Sequence, residues 1–391
     1  MRIAMVGLRG LPATFGGIEK HVEELGSRLA AAGHEVTVYC RPSYAADPDA
    51  IPPEFGYVPP LRGRPGRYRG MILHNLPAPE GKGLEAFVHS GLAVAATLGR
   101  GYDIVHFHAL GPGLFTPIPK YLSRAGVVQT IHGLDDERGK WGRVAKLLLS
   151  TGRGLSVRVP DEVIVVSRDL RFTYRDVHDR HTTYIPNGGP SVRPVAPGAT
   201  LERFGLTPGG YAMFLGRLVP EKDPGLALQA FAQVDTELRL AVVGDSANTD
   251  DFTAQLRELA GRDPRVVMTG YVYGEALAEL LTSAALFIQP SQLEGLPITL
   301  LEAAAYRLPV VVSDIPPHLE VVGADGPGHR VFPVGDAGPL AAAIKQELAD
   351  PQVSQEGAAQ WSADVAEHYD WDQATEALLT VYRRAATRRK R

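Results

Sequence analysis

The first forty residues admit few folds. Ile3 to Val6 is an unbroken apolar run, and a glycine-rich loop, Gly7 to Gly17, follows it directly. A helical pattern then extends from about Ile18 to Ala32 and stops at Gly33. His34 to Tyr39 reads as a second strand. This is a β–α–β unit, and a strand apolar along its whole length has to be covered on both faces, as in a parallel, doubly wound sheet. The same alternation recurs downstream, with apolar strands at 102–108, 127–131, 163–166, 211–215, 238–243, 266–269, 284–288 and 309–313. At 391 residues the chain suggests two or three domains rather than one core. The proline-rich, apolar-poor stretch 190–210 is the natural linker. The glycine loop does not contain the G-x-G-x-x-G dinucleotide fingerprint. Gly16 and Gly17 stand directly before the helix, where bare backbone lets a phosphate come close.

Composition narrows the function classes. Hydrophobic residues at 45% and charged residues at 21% suit a soluble globular enzyme. A net charge of −4 argues against a dedicated nucleic-acid binder. Cys40, the single cysteine, excludes an internal disulfide and fits a reducing compartment. No signal peptide is read before the first strand, and no apolar run reaches the roughly 18 residues of a membrane span. The expectation is a cytoplasmic protein.

The most informative stretch is Phe287 to Ala305. An apolar strand is broken by Gln289-Pro290-Ser291, a polar loop holds Gly295 and Pro297, and Ile298 to Ala305 runs as a helix with Pro297 at its first turn. Glu294 and Glu302 bracket that loop and helix start at the carboxyl end of a strand, where ligands bind in open parallel sheets. The helix start offers free N–H groups to an anion. Glu302 lies among apolar neighbours, and a buried carboxylate needs a partner such as a ribose hydroxyl.

This pair of glutamates, with seven residues between them and with Pro290-Ser291, Gly295 and Ala303 alongside, resembles the motif of retaining GT-B glycosyltransferases, the large family 4. The resemblance implies that Glu294 faces the donor sugar and Glu302 the ribose, with Gly295 and Leu296 on the donor. Other segments match in order along nearly the whole chain. Gly216-Arg217-Leu-Val-Pro-Glu221-Lys222 is similar to the family's G-R-L-x-x-E-K-G segment, with Asp223 where glycine is usual. It implies that Arg217 and Lys222 hold the diphosphate, whose charge grows as the glycosidic bond breaks, with Gly216 beside them. The backbone after Gly270 would read the base, making Tyr271 and Val272 base-site candidates. Gly16-Gly17 would approach the diphosphate and acceptor, and His132 the sugar and its phosphate. Tyr184 to Gly189 resembles the segment that ends the first domain, with Gly189 in place of an apolar residue. The wording around Gly7 to Glu19 resembles a bacterial subgroup that makes rhamnose- or mannose-containing surface polysaccharides.

The expected architecture is α/β: a GT-B fold of two Rossmann-like doubly wound domains facing across a cleft, with closure excluding water. The first, acceptor-side domain is expected at 1–190, completed by a terminal helix at 371–386. The nucleotide-sugar domain is expected at 191–370, and 387–391 is a basic tail. The expected reaction is metal-independent hexosyl transfer with retention, by front-side displacement, from a nucleotide diphosphate sugar to a hydroxyl acceptor. A UDP-sugar is favoured as donor, and a surface-polysaccharide or glycolipid precursor, including a lipid-linked one, as acceptor. No cofactor is expected. His106 and His108 share a strand face, but no third ligand stands nearby, so no metal site is expected. Asp135, Asp136 and Glu137 are read as acceptor-side or solvated. Competing readings are a GDP-mannose-dependent transferase, a sugar-nucleotide epimerase of the same fold, and a non-catalytic nucleotide-sugar-binding protein. The basic, apolar helix 140–153 and the Arg62–Arg69 cluster suit either a core and solvated face or peripheral contact with the inner membrane surface.

Overall fold

The computed structural model describes residues 1–14, 16–44, 51–61, 63–79, 84–134, 143–246 and 249–388. Asp135, Asp136, Glu137, Lys140, Trp141 and Arg62 lie outside them, so the readings placed on these residues have no structural counterpart. The chain divides into two compact units, Met1–Asn187 with Trp371–Arg391, and Gly188–Asp370.

The first unit holds an eight-stranded sheet. Its strands are β1 (Arg2–Val6), β2 (Glu35–Cys40), β3 (Gly66–Tyr68), β4 (Met71–Asn75), β5 (Ile104–His108), β6 (Gly126–Ile131), β7 (Glu162–Val165) and β8 (Thr183–Tyr184). They lie in the order β3-β4-β2-β1-β5-β6-β7-β8. All pairs are parallel except β3 with β4, a short hairpin whose first strand lies within residues 41–70, a stretch whose Pro, Gly and Arg content reads in sequence as a long loop or weak hairpin. The chain leaves β1 on one side and returns through β5 on the other, so the order reverses between them. Helix Gly17–Ala31 begins one residue before its expected start.

Residues 83–98 read in sequence as a helix with Leu84, Phe87, Val88, Leu92 and Val94 on the inner side; in helix Leu84–Thr97 Val94 is buried in this way, but Phe87 and Leu92 are not. His89, Ser90, Ala93, Val94 and Thr97 are buried, whereas Phe87 and Leu92 are 42% and 40% exposed. The inward face follows the i, i+3, i+4 spacing of His89, Ala93, Val94 and Thr97, and Phe87 instead packs on Phe115 with ring centroids 5.0 Å apart.

Helix Trp371–Arg388 belongs to this unit although 183 residues of the other unit precede it. Buried Trp371, Leu378, Val381, Tyr382 and Ala385 supply its apolar face. Tyr382 reaches His106 on β5, and Arg384 and Arg388 reach Glu162 at 3.1 and 3.3 Å. Arg388, read as part of a loose basic region, is thereby tied to the sheet.

The second unit has six strands: β9 (Tyr211–Leu215), β10 (Arg239–Val243), β11 (Val266–Gly270), β12 (Leu286–Gln289), β13 (Val310–Ser313) and β14 (His329–Phe332). The order is β11-β10-β9-β12-β13-β14, parallel throughout, which is the doubly wound dinucleotide-domain order. Its core joins Phe214, Phe231, Leu240, Val242, Ile288, Val311, Phe332, Leu340 and Ile344. Among the described residues no helix is long and apolar enough to cross a membrane.

Candidate functional site

In the second unit the strand order reverses between β9 and β12, and the carboxyl ends of strands at such a switch point are where open α/β sheets bind ligands. The loop after β9 carries Gly216, Arg217 and Lys222, and the loop after β12 carries Glu294, Gly295 and Leu296. The two loops meet in an ion pair: Lys222 Nζ lies 2.5 Å from Glu294 Oε1. The same oxygen accepts from Ser291 Oγ at 2.8 Å and from Gln289 Nε2 at 3.2 Å. Backbone joins them too, since Gln292 N–H donates to the Glu221 carbonyl at 2.9 Å. Burial alone would push the Glu294 carboxyl up. Lys222, His318 and the Lys222 and Ser291 hydrogen bonds outweigh it and hold the group below the usual carboxylate range.

The local backbone explains why the first loop comes so close. Gly244, at φ 140°, backs onto Gly216, and a side chain there would run into the Gly216 carbonyl. Asp223, in place of the usual glycine, sits at φ 48° and ψ 50°. Aspartate is among the few residues that tolerate this left-handed region. Its carboxylate also caps helix Pro224–Phe231 through Leu226 N–H at 3.2 Å and takes Gln292 Nε2 at 2.6 Å. Asp223→Ala is therefore expected to lower stability by about 1–2 kcal/mol, and Asp223→Gly by less, because glycine keeps the backbone and sacrifices only the side-chain bonds. Urea unfolding of both variants checks this, and a greater loss for glycine than for alanine would refute it.

Helix Ile298–Ala305 buries Leu300, Leu301, Ala303 and Ala304 and leaves Glu302 half-buried at its edge, less enclosed than its sequence neighbours suggest. Pro297 is the residue before the helix, at φ −75° and ψ 111°, not its first turn. Gly295 and Leu296 are buried beneath the loop. Tyr271 and Val272 follow β11 and line a groove of about 320 Å³ with Thr200, Arg203, Phe204 and Tyr273. Tyr271 donates to the Ser246 carbonyl at 2.8 Å and stacks on Tyr273 with planes 17° apart.

Sequence reading did not single out His318. It is buried behind Glu294, and its Nδ1 faces Ser313 Oγ and the Ser313 carbonyl, both at 3.0 Å. Burial drives its pKa down to about 4, against the opposing pull of Glu294. Ser313 Oγ in turn donates to the Ser291 carbonyl at 2.5 Å, which fixes the turn carrying the Glu294 loop.

In the first unit the glycine loop is held by the helix it leads into. Glu19 accepts from Arg9 N–H at 2.9 Å and Glu23 from Ala13 N–H at 2.8 Å. Gly16 caps that helix at φ 105°, with no room for a side chain against Glu19, and Gly17 is exposed. His132, half-buried after β6, does not stand alone. His21, His108 and His132 bring ring nitrogens within 4.8 Å of one another. This corrects the expectation that His108 has no further ligands close by. They come from other elements, and the partner is not His106, whose nitrogens bond Tyr382 Oη and Thr130 Oγ1, both at 2.7 Å. Asn187 orients His21 through Oδ1 and Nδ1 at 2.8 Å, across 166 residues. Burial lowers the pKa of His21 to about 4 and those of His106 and His108 well below the usual value, so all three are neutral at pH 7.

Two family models match the chain: "Glycosyltransferase Family 4" over residues 15–189 and "Glycosyl transferases group 1" over 206–364. O-antigen chain mannosyltransferase B of Escherichia coli is 31% identical over 204 residues, a match spanning 51% of this chain and 51% of that protein. Among solved structures, sucrose-phosphate synthase of Thermosynechococcus elongatus superposes with a TM-score of 0.79 at 23% identity, covering 98% of each chain. The Anabaena protein HepE, solved in complex with UDP-glucose, superposes at 0.77 with 17% identity, covering 97% of this chain and 99% of that one. With both sheets accounted for and its two halves matched by the family's own segments, the chain belongs to the GT-B glycosyltransferases of family 4, enzymes that act on sugar-nucleotide donors.

Proposed function

We propose that this glycosyltransferase moves a hexose from a nucleotide diphosphate sugar, with a UDP-sugar as the preferred donor, to a hydroxyl of a surface-polysaccharide or glycolipid precursor, with retention at the anomeric carbon. The observation that carries the reading is the Lys222–Glu294 pair at the point where the strand order reverses. It offers one cation and one carboxylate at the place where an α/β sheet receives a nucleotide. Lys222 and Arg217 neutralise the diphosphate as it leaves, and Glu294 accepts hydrogen bonds from the sugar hydroxyls. Glu302 holds the ribose, Tyr271 and Val272 lie against the base, and Gly216, Gly295 and Leu296 bring backbone to the donor. Gly16, Gly17 and His132 serve the donor's diphosphate and sugar. Front-side displacement then lets the leaving phosphate take the acceptor proton, with no further base and no metal. The HepE complex supports the UDP preference, and the Escherichia coli likeness supports a mannosyl donor as the rival.

A thermal-shift panel of nucleoside diphosphates and their sugars tests the donor, because only ligands that favour the native state raise the midpoint. A shift confined to uridine compounds supports the reading, and a shift confined to guanosine compounds replaces UDP with GDP. Proton NMR of the first-formed product tests retention through the anomeric coupling. Glu302→Ala is expected to weaken donor binding about 10-fold or more, as ribose contacts to a carboxylate are charge-assisted. Arg217→Ala is expected to lower kcat more than donor affinity, as its charge matters most when the diphosphate leaves. Unchanged kinetics in either variant would remove that role.

The acceptor is proposed to come from a membrane surface. Helix Arg143–Arg158 exposes Leu147 at 68% and Leu148 at 41%, next to exposed Lys146. An apolar pair flanked by a cation suits an interface with anionic lipid. Of the described arginines in the 62–69 cluster, Arg69 is engaged with Glu23 at 3.3 Å, while Arg64 and Arg67 are exposed. Co-sedimentation with anionic vesicles that is lost in Leu147→Glu supports the docking, and equal sedimentation rejects it.

A further inference from the structure

The three imidazoles of the first unit are arranged for more than packing. We propose that His21, His108 and His132 bind one divalent transition-metal ion of the zinc class.

Their ring nitrogens lie within 4.8 Å of one another and come from helix Gly17–Ala31, the end of β5 and the loop after β6. His108 Nδ1 and His132 Nε2 are 3.2 Å apart. Two nitrogens bound to a tetrahedral zinc at about 2.0–2.1 Å would lie about 3.4 Å apart, so this edge is already near its final length. His21 completes the set. Its Nδ1 faces the Asn187 amide oxygen at 2.8 Å, and an oxygen there can only accept, so Nδ1 carries the proton. The lone pair then belongs to Nε2, which is buried and has no hydrogen-bond partner. A neighbour that fixes tautomer and ring orientation is the usual outer contact of a metal-bound histidine. His108 Nε2 is also buried without a partner.

An orphaned buried imidazole nitrogen is unfavourable unless something fills the space before it. A metal ion meets that need for His21. An all-imidazole set selects zinc, cobalt, nickel or copper over magnesium or calcium. His106 is excluded from the set, because both its nitrogens are engaged. His132 is only half-buried, which leaves an approach from solvent. Three protein ligands leave the fourth position for water or an anion.

Occupancy has a consequence that rests on the role proposed above for His132. An imidazole nitrogen bound to zinc cannot hydrogen-bond a donor sugar, so the ion acts as a reversible inhibitor rather than a cofactor.

Chelator-stripped full-length protein should be titrated with Co²⁺, followed by its visible d–d absorption, and with Zn²⁺ by calorimetry. One equivalent is expected, giving a tetrahedral-type Co²⁺ band that Zn²⁺ abolishes. His21→Gln and His108→Ala should each weaken binding about 10-fold or more, and Asn187→Leu should weaken it about 10- to 100-fold through loss of orientation. Far-UV circular dichroism checks that each variant is folded, and His21→Gln, close in size to the parent, guards against a packing failure at His108. No band, or equal affinity in His21→Gln and Asn187→Leu, overturns the site, since surface histidines would then account for any uptake. In transfer assays, Zn²⁺ should inhibit and EDTA should restore activity. Stoichiometric binding without inhibition would overturn the withdrawal of His132 and leave the metal site standing. Failure of the transferase reading itself would leave the spectroscopic result untouched.

Discussion

Lys222→Met should reduce the turnover of sugar transfer by about 10²- to 10³-fold, the usual effect of removing one preorganised group that stabilises developing charge. Methionine keeps the length of the side chain and removes the cation. Two effects then act together. The leaving diphosphate loses a fixed counter-charge, and Glu294 loses the partner 2.5 Å from its Oε1. An enclosed carboxylate deprived of its cation is strongly unfavourable, at about 3–5 kcal/mol for a fully buried pair and less here, where both side chains keep some solvent contact. The pH profile separates the two. In the parent, the balance of Lys222 and the hydrogen bonds over burial holds the Glu294 carboxyl below its ordinary value. A carboxylate with a depressed folded pKa keeps its contribution above the unfolded value and loses it as pH falls through the folded one. In the parent, wherever the chain stays folded, Glu294 should therefore remain ionised below the ordinary carboxylate range. In Lys222→Met burial is left unopposed by its main counterweight, so the acid limb of kcat/KM should move upward in pH. A drop in turnover with an unmoved acid limb would confine Lys222 to the diphosphate. No drop would dismiss it from the site.

That pair also shows what was legible in the sequence. Glu294 and Lys222 were readable because each follows an apolar strand and sits in a short motif, so neighbouring residues announce the loop they occupy. The strands were readable for the same reason: a run such as Val310-Val311-Val312 has one plausible fate, burial in a parallel sheet. What the sequence hid lies at long range or depends on backbone angle. Asn187 stands inside the Tyr184–Gly189 segment that ends the first domain, and nothing near it in the chain points to His21, 166 residues away. His318 looked like any helix residue, because only the packing of the Ser313 turn brings it behind Glu294. Phe87 and Leu92 misled, since hydrophobicity alone does not fix which stripe of an almost wholly apolar helix turns inward. Asp223 looked like a departure from the family pattern until its left-handed backbone and two side-chain bonds explained it.

The largest stability effect is expected from acid. His21, His89, His106 and His108 are buried in the first unit, and burial, first among the causes for each, lowers their pKa, to about 4 for His21 and His89 and well below the usual value for the other two. In the unfolded chain each returns to about 6.5. The sign follows directly: between these values the unfolded chain binds more protons, so stability falls as pH falls. From pH 7 to pH 5 His21 and His89 each cost about 2 kcal/mol, and burial acts in the same direction on His106 and His108. Glu294 lies in the second unit and does not enter this balance. Unfolding of the first unit, followed by calorimetry and near-UV circular dichroism, should thus shift sharply to lower temperature by pH 5. His89→Met isolates one contribution, since it removes a titrating ring from the interior of helix Leu84–Thr97 without touching the other three. Its plot of unfolding free energy against pH should be shallower than the parent's by about 1.2 kcal/mol per pH unit near pH 5.5. Parallel plots would mean that His89 is protonated, or left neutral, equally in both states, and the acid sensitivity would then rest on the cluster around His108 alone.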